Sequence, residues 1–398
     1  MLKRKYKQIY NLKYGCNPHQ QGASILSRII TDEHHEYLDD DKVKNLPFKI
    51  INGTPGYINI LDAINGWYLV NEIRYSINKL AAASFKHVSP AGVSIGDTIQ
   101  EAYKNARDCD PKSSFGDFIA VNSVVTIGLA EFIKTKICDG IIAPDFDSNA
   151  LEILKNKKQG KFIIIRGYPI DFEKEKNDKN IEIREIKNIV LSQQNNTHIF
   201  SKSDLVNIPT VNKDINYDAI NDLIIANITL KYTQSNSVCF VYNGMTIGIG
   251  AGQQSRIDCV KIARRKAELY LLRKHPRVID MDFKHIKFQD RINAIFQYIE
   301  NDMSAIEEER WINLFNVVPE FLTNQERKDY IYEITKNGFI SMGSDAFFPF
   351  RDSIDQASII GTKYISQPGG SIADCSVIDA CNEYNMVMCL SNIREFHH

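Results

Sequence analysis

The chain has 398 residues, enough for two or three domains and for a core that needs no disulfide or metal staples. Lysine and arginine number 48 against 49 aspartates and glutamates, a balance that supplies no general attraction to nucleic acid or to an anionic membrane, so neither is expected as a partner. Hydrophobic residues make up 43%, with 21 glycines and 12 prolines, which excludes collagen-like and extensively disordered chains. The polar, lysine-rich residues 1–13 lack the apolar core of a signal peptide. No apolar run approaches the roughly 18 residues of a membrane helix, and a soluble, cytoplasmic protein is expected.

Short apolar runs alternate with amphipathic stretches, the pattern of an α/β protein. Residues 84–96 read SFKHVSPAGVSIG. Neighbouring side chains of a strand point to opposite faces, so Lys86 and His87 serve one site only where the strand ends or bends. The sequence Ser89-Pro90-Ala91-Gly92 offers that bend. A cation beside a titratable imidazole in a turn suits acid/base work, although by itself such a dipeptide is more often a solvated surface pair.

Residues 97–107 predict a helix with Asp97 as N-cap and Gln100 three residues on. The β-branched runs at 121–127 and 162–165 predict strands. Residues 171–185 are mostly charged or amide and mark a boundary between two units; 201–218 are polar, and a helical pattern returns at 220–230. Residues 231–256 read KYTQSNSVCFVYNGMTIGIGAGQQSR. There Gly248, Gly250 and Gly252 allow close backbone approach, and Ser255 opens a helix over 255–274 with Ile257, Val260, Ala263 and Ala267 on one face. The N-terminus of that helix suits an anion, with Arg256 beside it; a tight strand-to-helix turn explains the glycines equally well.

Strand and helix alternation resumes in the last sixty residues. Residues 344–352 read SDAFFPFRD. Phenylalanines around a proline are commonly core, yet the flanking aspartates and arginine also suit a flat heteroaromatic ligand. The eight cysteines (Cys16, Cys109, Cys138, Cys239, Cys259, Cys375, Cys381 and Cys389) include no C-x-x-C pair. Reduced thiols are expected rather than disulfides or zinc.

LKYGCNPHQ (12–20), KHVSPAG (86–92), DPKSSFGDF (110–118), DGIIAPDF (139–146), YTQSNSVCF (232–240), IGIGAGQQSRI (247–257), SDAFFPFRD (344–352) and the terminal IREFHH occur in the order found in the AICAR transformylases, the phosphoribosylaminoimidazolecarboxamide formyltransferases of purine synthesis. The chain resembles that family over nearly its whole length. In the family the transformylase usually follows an IMP cyclohydrolase domain. Here LKYG begins at residue 12, so a stand-alone form is expected.

The resemblance implies two cytidine-deaminase-like α/β/α units without the deaminase zinc site. It assigns 1–180 plus 274–337 to the first and 181–273 plus 338–398 to the second, within a homodimer with shared active sites. The implied reaction moves a formyl group from the co-substrate 10-formyltetrahydrofolate to the 5-amino group of AICAR. It implies His87 as proton acceptor, Lys86 on the folate side and Asn236 as an orienting amide. Lys13, Tyr14, Arg256, Phe347 and Arg394 carry over to the nucleotide, and Phe350 and Asp352 to the folate. Lys13 stands where the family usually has arginine, which exchanges a bidentate contact for a single-point one. Potassium near Thr233, Ser237 and Asp345 is a feature of some members. A separate IMP cyclohydrolase would act downstream. A nucleotide deaminase is disfavoured by the missing H-x-E and P-C-x-x-C, and a catalytically silent nucleotide-binding protein by the intact Lys86, His87 and Asn236.

Overall fold

A computed structural model describes residues 5–11, 24–29, 46–176, 181–186, 189–336 and 338–398. The chain runs β1 (Lys5–Asn11), β2 (Ser24–Ile29), β3 (Phe48–Asn52), α1 (Tyr57–Ile77), β4 (Leu80–Lys86), β5 (Ser89–Gly96), α2 (Ile99–Cys109), β6 (Asp117–Val121), α3 (Ile127–Lys134), β7 (Cys138–Ala143), α4 (Ser148–Lys155) and β8 (Ile163–Gly167). A connection follows with α5 (Phe172–Lys176), β9 (Ile181–Ile186) and β10 (Ile189–Gln194). The second half runs α6 (Tyr217–Lys231), β11 (Val238–Tyr242), β12 (Met245–Gly250), α7 (Arg256–Leu272), α8 (Pro276–Ile279), α9 (Phe288–Glu300), α10 (Ala305–Ile312), α11 (Asn324–Thr335), β13 (Ile340–Ser344), α12 (Asp352–Ser358), β14 (Thr362–Gln367), α13 (Asp374–Glu383) and β15 (Val387–Leu390).

Among the described residues, eleven strands form one mixed sheet in the order β15-β14-β13-β11-β12-β5-β4-β6-β7-β8-β3, while β1–β2 and β9–β10 are separate antiparallel pairs. The sheet has an internal repeat. Each half starts with a helix (α1 or α6) and a hairpin (β4–β5 or β11–β12), continues through a helix (α2 or α7), and adds a third strand antiparallel to the first of the hairpin (β6 or β13). Two further parallel strands extend each half, and β3 adds antiparallel to β8 at the edge of the first. The halves meet where β12 runs antiparallel to β5.

Strand side chains alternate between two cores, as a period of two requires. On β4, Ala81, Ala83 and Phe85 join the core against α1 and α6, whereas Ala82 joins the core against α2, α3 and α4. On β11, Cys239 and Val241 face the first of these, and Val238 and Phe240 face a third core containing α7, α12 and α13. Helices therefore cover both faces. That is why β7 (CDGIIA) and β8 (IIIRG) read as near-continuous apolar runs rather than as alternation.

Two expectations need revision. The helix predicted from Asp97 starts one residue later: Thr98 is the N-cap, its Oγ1 accepting from Glu101 N at 3.1 Å. The strand predicted over 121–127 ends at Val121. Asn122 turns inward there, accepting from Ala81 N (2.8 Å) and donating to Val70 O (2.8 Å), and Thr126 then caps α3. Val278, Phe296, Trp311, Leu322 and Ile331 are buried in the same core as Val238, Phe240 and Ile340 of the second half.

The glycines of IGIGAG seat a helix. A Cβ at Gly248 would stand 2.1 Å from Ala263 O of α7, and one at Gly250 2.1 Å from Cys259 O. The first half repeats the device, with Gly92 of β5 against Ala106 O of α2 at 2.0 Å. Backbone oxygens cannot move aside as a flexible side chain would. Gly248→Ala is therefore expected to destabilise the protein by about 1–3 kcal/mol or more, the usual cost of overpacking. Chemical denaturation measures this, and a change within about 0.5 kcal/mol, the scale of a neutral surface substitution, would refute the close-packing role.

Candidate functional site

Lys86 and His87 sit at the tip of the first hairpin. The bend is not at 89–92, which lies in β5 with an irregularity of register opposite Ser84 and Phe85, the kind of place where a strand tolerates Pro90. It is a two-residue turn of His87 and Val88, with Lys86 paired to Ser89. Both turn residues have positive φ, 54° and 63°. A type I′ turn requires this and ordinarily uses Asn-Gly. Histidine is enriched in the left-handed region, but a β-branched valine there is an outlier, at a cost of about 1–2 kcal/mol.

Asp62 of α1 lies beneath the turn. It is buried and accepts from Val88 N at 2.7 Å. Burial pushes its carboxyl up to about 7, the hydrogen bond from Val88 pulls the other way, and the charges of Asp139 and Asp117 add to the rise. Half-buried Lys86 donates through Nζ to Phe115 O at 2.6 Å, and the His87 ring is exposed.

The segment joining α6 to β11 comes against this hairpin, Gln234 N donating to Ser89 Oγ at 3.3 Å. Two residues on, Asn236 is held at both ends of its amide. Its Nδ2 donates to Gln254 O (3.0 Å), and its Oδ1 accepts from Arg256 Nη2 (2.8 Å). Arg256 Nη1 also donates to Ser237 O (2.9 Å) and to Asp345 Oδ1. Asp345 Oδ2 accepts from Ser235 Oγ (2.6 Å) and Ser237 N (3.1 Å). Both charges are out of water, Arg256 6% and Asp345 1% exposed. The guanidinium is thus turned inward onto protein partners instead of standing free at the start of α7.

The C-terminal residues lace onto this cluster. Glu395 N donates to Asp345 O (2.9 Å), Ser235 N to His397 O (2.9 Å) and His397 N to Ser235 Oγ (3.0 Å). Arg394 is exposed, its guanidinium 4.6 Å from the Phe396 ring centre. Of the three phenylalanines at 347–350, only Phe348 is core; Phe347 and Phe350 are 40% and 67% exposed. Asp352 opens α12 and is half-buried. Among the described residues no hydrogen bond joins Phe350 or Asp352 to Lys86, His87 or Asn236. Lys13, Tyr14 and Cys16 lie outside the described residues.

Thr233 Oγ1 donates to Thr229 O at 2.7 Å, and Ser237 Oγ is buried with no hydrogen-bond partner among the described residues. Among those residues, no group of three or more His, Cys, Asp or Glu is arranged to hold a metal, and no helix is long and apolar enough to cross a membrane. Cys109, Cys138, Cys239, Cys259, Cys375, Cys381 and Cys389 are free thiols. Sequence reasoning missed Asp62, Ser89, Ser235 and the carbonyl of Phe115. Ser89 and Ser235 sit inside recognisable motifs, whereas Asp62 is an ordinary acidic residue on a helix until the turn is seen above it.

This is an α/β protein whose polar site lies where its two half-sheets join. Residues 1–266 match the family described as AICARFT/IMPCHase bienzyme, and the chain belongs to that family. It is 30% identical over 393 residues to the bifunctional purine biosynthesis protein PurH of Elusimicrobium minutum (strain Pei191), covering 98% of this chain and 58% of that protein. The PurH proteins of Clostridium acetobutylicum and Aquifex aeolicus are each 29% identical to it, over 99% and 98% of this chain and 60% of their own lengths. The chain thus spans about three fifths of the length of the curated relatives it matches.

Glu395 offers a test of the tail's packing. Burial pushes its carboxyl up from 4.5 to about 7, Lys231 and the Asn196 bond oppose this, and Glu72 and Asp204 add to it. The folded chain holds this proton more tightly than the unfolded one. The stability it contributes is therefore full below about pH 4.5 and is lost as pH rises through about 7. Glu395→Gln is expected to flatten the decline in unfolding free energy between pH 5 and 8 that denaturant titrations reveal, by on the order of 1 kcal/mol or more. An unchanged slope would mean that Glu395 is not buried as described.

Proposed function

We propose that this chain is a formyltransferase of de novo purine biosynthesis, moving the formyl group of 10-formyltetrahydrofolate to the 5-amino group of AICAR to give FAICAR and tetrahydrofolate. The observation that carries this reading is the contact between the Lys86–His87 hairpin and the segment holding Asn236, in a chain of this family. The names of the PurH relatives support the pathway. The repeated order of helices and strands supports the reading of the two halves as cytidine-deaminase-like units.

The 5-amino group is a poor nucleophile because its lone pair is delocalised into the imidazole and the neighbouring carboxamide. As nitrogen bonds the formyl carbon, it must lose a proton, and exposed His87 accepts it. The bond from that carbon to N10 then breaks, and N10 leaves as a neutral amine after taking up a proton, with Lys86 stabilising or protonating on that side. Asn236, fixed by Arg256 and Gln254, presents a preset dipole that orients the carboxamide. Arg256 acts on the nucleotide through Asn236, since its own guanidinium is engaged by protein. Lys13, Tyr14, Phe347 and Arg394 complete the nucleotide side. The exposed Phe350 ring and the Asp352 carboxylate serve the folate. Potassium fits the oxygen donors at hand: Ser237 Oγ, which has no partner among the described residues, the lone pairs left on Thr233 Oγ1 and the Asp345 carboxylate. When bound, it would supply local positive charge and fix that loop.

The decisive experiment mixes AICAR and 10-formyltetrahydrofolate with the purified chain and follows tetrahydrofolate. Turnover is expected, with no IMP formed from FAICAR above the spontaneous rate; a separate cyclohydrolase would draw the reaction on by mass action. Lys86→Ala and His87→Ala should each lower kcat by roughly 10²-fold or more, with nucleotide affinity far less affected. Near-normal turnover in either variant removes that residue from the mechanism.

The cytoplasmic enzyme acts as a homodimer with shared sites, Tyr14 being offered across the interface. Mixing inactive His87→Ala and Tyr14→Ala chains should then restore part of the activity, since some heterodimers carry one intact site. With subunit exchange verified, absence of rescue argues for sites built within one chain.

A further inference from the structure

The internal repeat places the same device under both hairpins. Asp62 is the sixth residue of α1 and Asp222 the sixth of α6, each helix opening on a tyrosine, Tyr57 and Tyr217. Asp62 Oδ1 accepts from Val88 N at 2.7 Å, and Asp222 Oδ1 accepts from Gly244 N at 2.7 Å. Val88 and Gly244 are equivalent, the second residue of a two-residue turn with positive φ at both positions: 54° and 63° at His87 and Val88, 50° and 73° at Asn243 and Gly244. Both carboxylates are buried, 5% and 2% exposed.

The turns they hold are chemically unequal. Asn243-Gly244 adopts the primed turn on its own preference, glycine having no Cβ to clash and asparagine tolerating the left-handed region. His87-Val88 does not, because the branched valine resists that region. In the second half the aspartate adds to a turn already favoured; in the first it offsets the strain. Without it, the tip can relax toward conformations that leave β4 and β5 paired but turn Lys86 and His87 elsewhere.

We infer that Asp62 is a positioning residue: through the Val88 amide it selects the left-handed turn that presents Lys86 and His87 together. The inference rests on the transferase reading above. It adds a requirement that reading does not contain, namely that the valine turn, and not the acid itself, creates the need for Asp62.

The test uses the full-length chain with Asp62→Ala, Asp62→Asn, Val88→Gly, Asp62→Ala/Val88→Gly and Asp222→Ala. It measures kcat, KM for both substrates, the thermal midpoint and amide exchange at position 88. Asp62→Ala should lower kcat at least tenfold, the scale of a misplaced catalytic group, while KM moves less than about threefold. Asp62→Asn keeps an oxygen acceptor and should stay within about threefold of the unaltered chain. Val88→Gly should restore most of the kcat lost in Asp62→Ala, because glycine takes the turn unaided.

Asp222→Ala should lower the thermal midpoint while leaving kcat within about twofold. Equal losses of kcat in Asp62→Ala and Asp222→Ala, or no rescue by glycine, would overturn the inference in favour of a general structural role. If Asp62→Ala does not fold, comparison of Asp62→Ala/Val88→Gly with Val88→Gly decides, equal kcat supporting the inference and a tenfold gap overturning it. An unaltered chain without transferase activity refutes the proposed function alone. Amide exchange then still judges the turn: lost protection at position 88 in Asp62→Ala and not in Asp62→Asn supports the clamp, and unchanged protection overturns it.

Discussion

The Arg256–Asp345 ion pair is the contact on which the rest of the site depends. Four separate stretches of chain meet on it: residues 235–237 ahead of β11, the first turn of α7, the end of β13 and the C-terminal residues 395–397. A buried pair returns little net stability, because taking both charges out of water costs about what their attraction restores. Its effect is on arrangement. Once the guanidinium is committed to Asp345, its second nitrogen fixes Asn236 Oδ1, and the direction of that amide follows. The terminal segment is then drawn in by the Asp345 backbone and by Ser235.

The second organising feature is repetition followed by divergence. The halves share strand order, the glycine contacts that let a helix lie directly on the hairpin, and the aspartate under each turn. They differ at the turn itself. Asn-Gly in the second half is a solution for stability. His-Val in the first puts a titratable ring where the backbone would prefer glycine, and strain of that kind persists where surrounding structure over-determines the conformation. The two copies diverge at this turn.

Much of the regular structure was legible from side-chain pattern. The apolar run of β8, the helical period of α6 and the alternation after β13 follow from how much of each element is covered. The misreadings have a common cause in long-range contacts. The β-branched run after Val121 looks like strand, but Asn122 bonds across to β4 and α1 and ends it. On α7, Val260, Ala263 and Ala267 are buried and Ile257 half-buried, but the period alone does not show that Arg256 is buried in the ion pair or that Cys259 donates through Sγ to Asn236 O. Nothing local to Phe296 and Trp311 says which core they enter.

What the sequence determined by itself was an α/β chain of ordinary charge balance, the family likeness carried by its motifs, and the residue types available for proton transfer and orientation. Those are properties of composition, period and local spacing, and they survive without knowing where any two segments meet. Only the tertiary structure decided that Ser89 and Gln234 touch, that Arg256 faces inward, that Phe347 and Phe350 stay exposed while Phe348 is buried, and that a helix aspartate supports the turn of Lys86 and His87. The physical reason is the same in each case. Burial and hydrogen-bond partnership are set by atoms 26 to 145 residues away along the chain, where the period of a strand or helix carries no information.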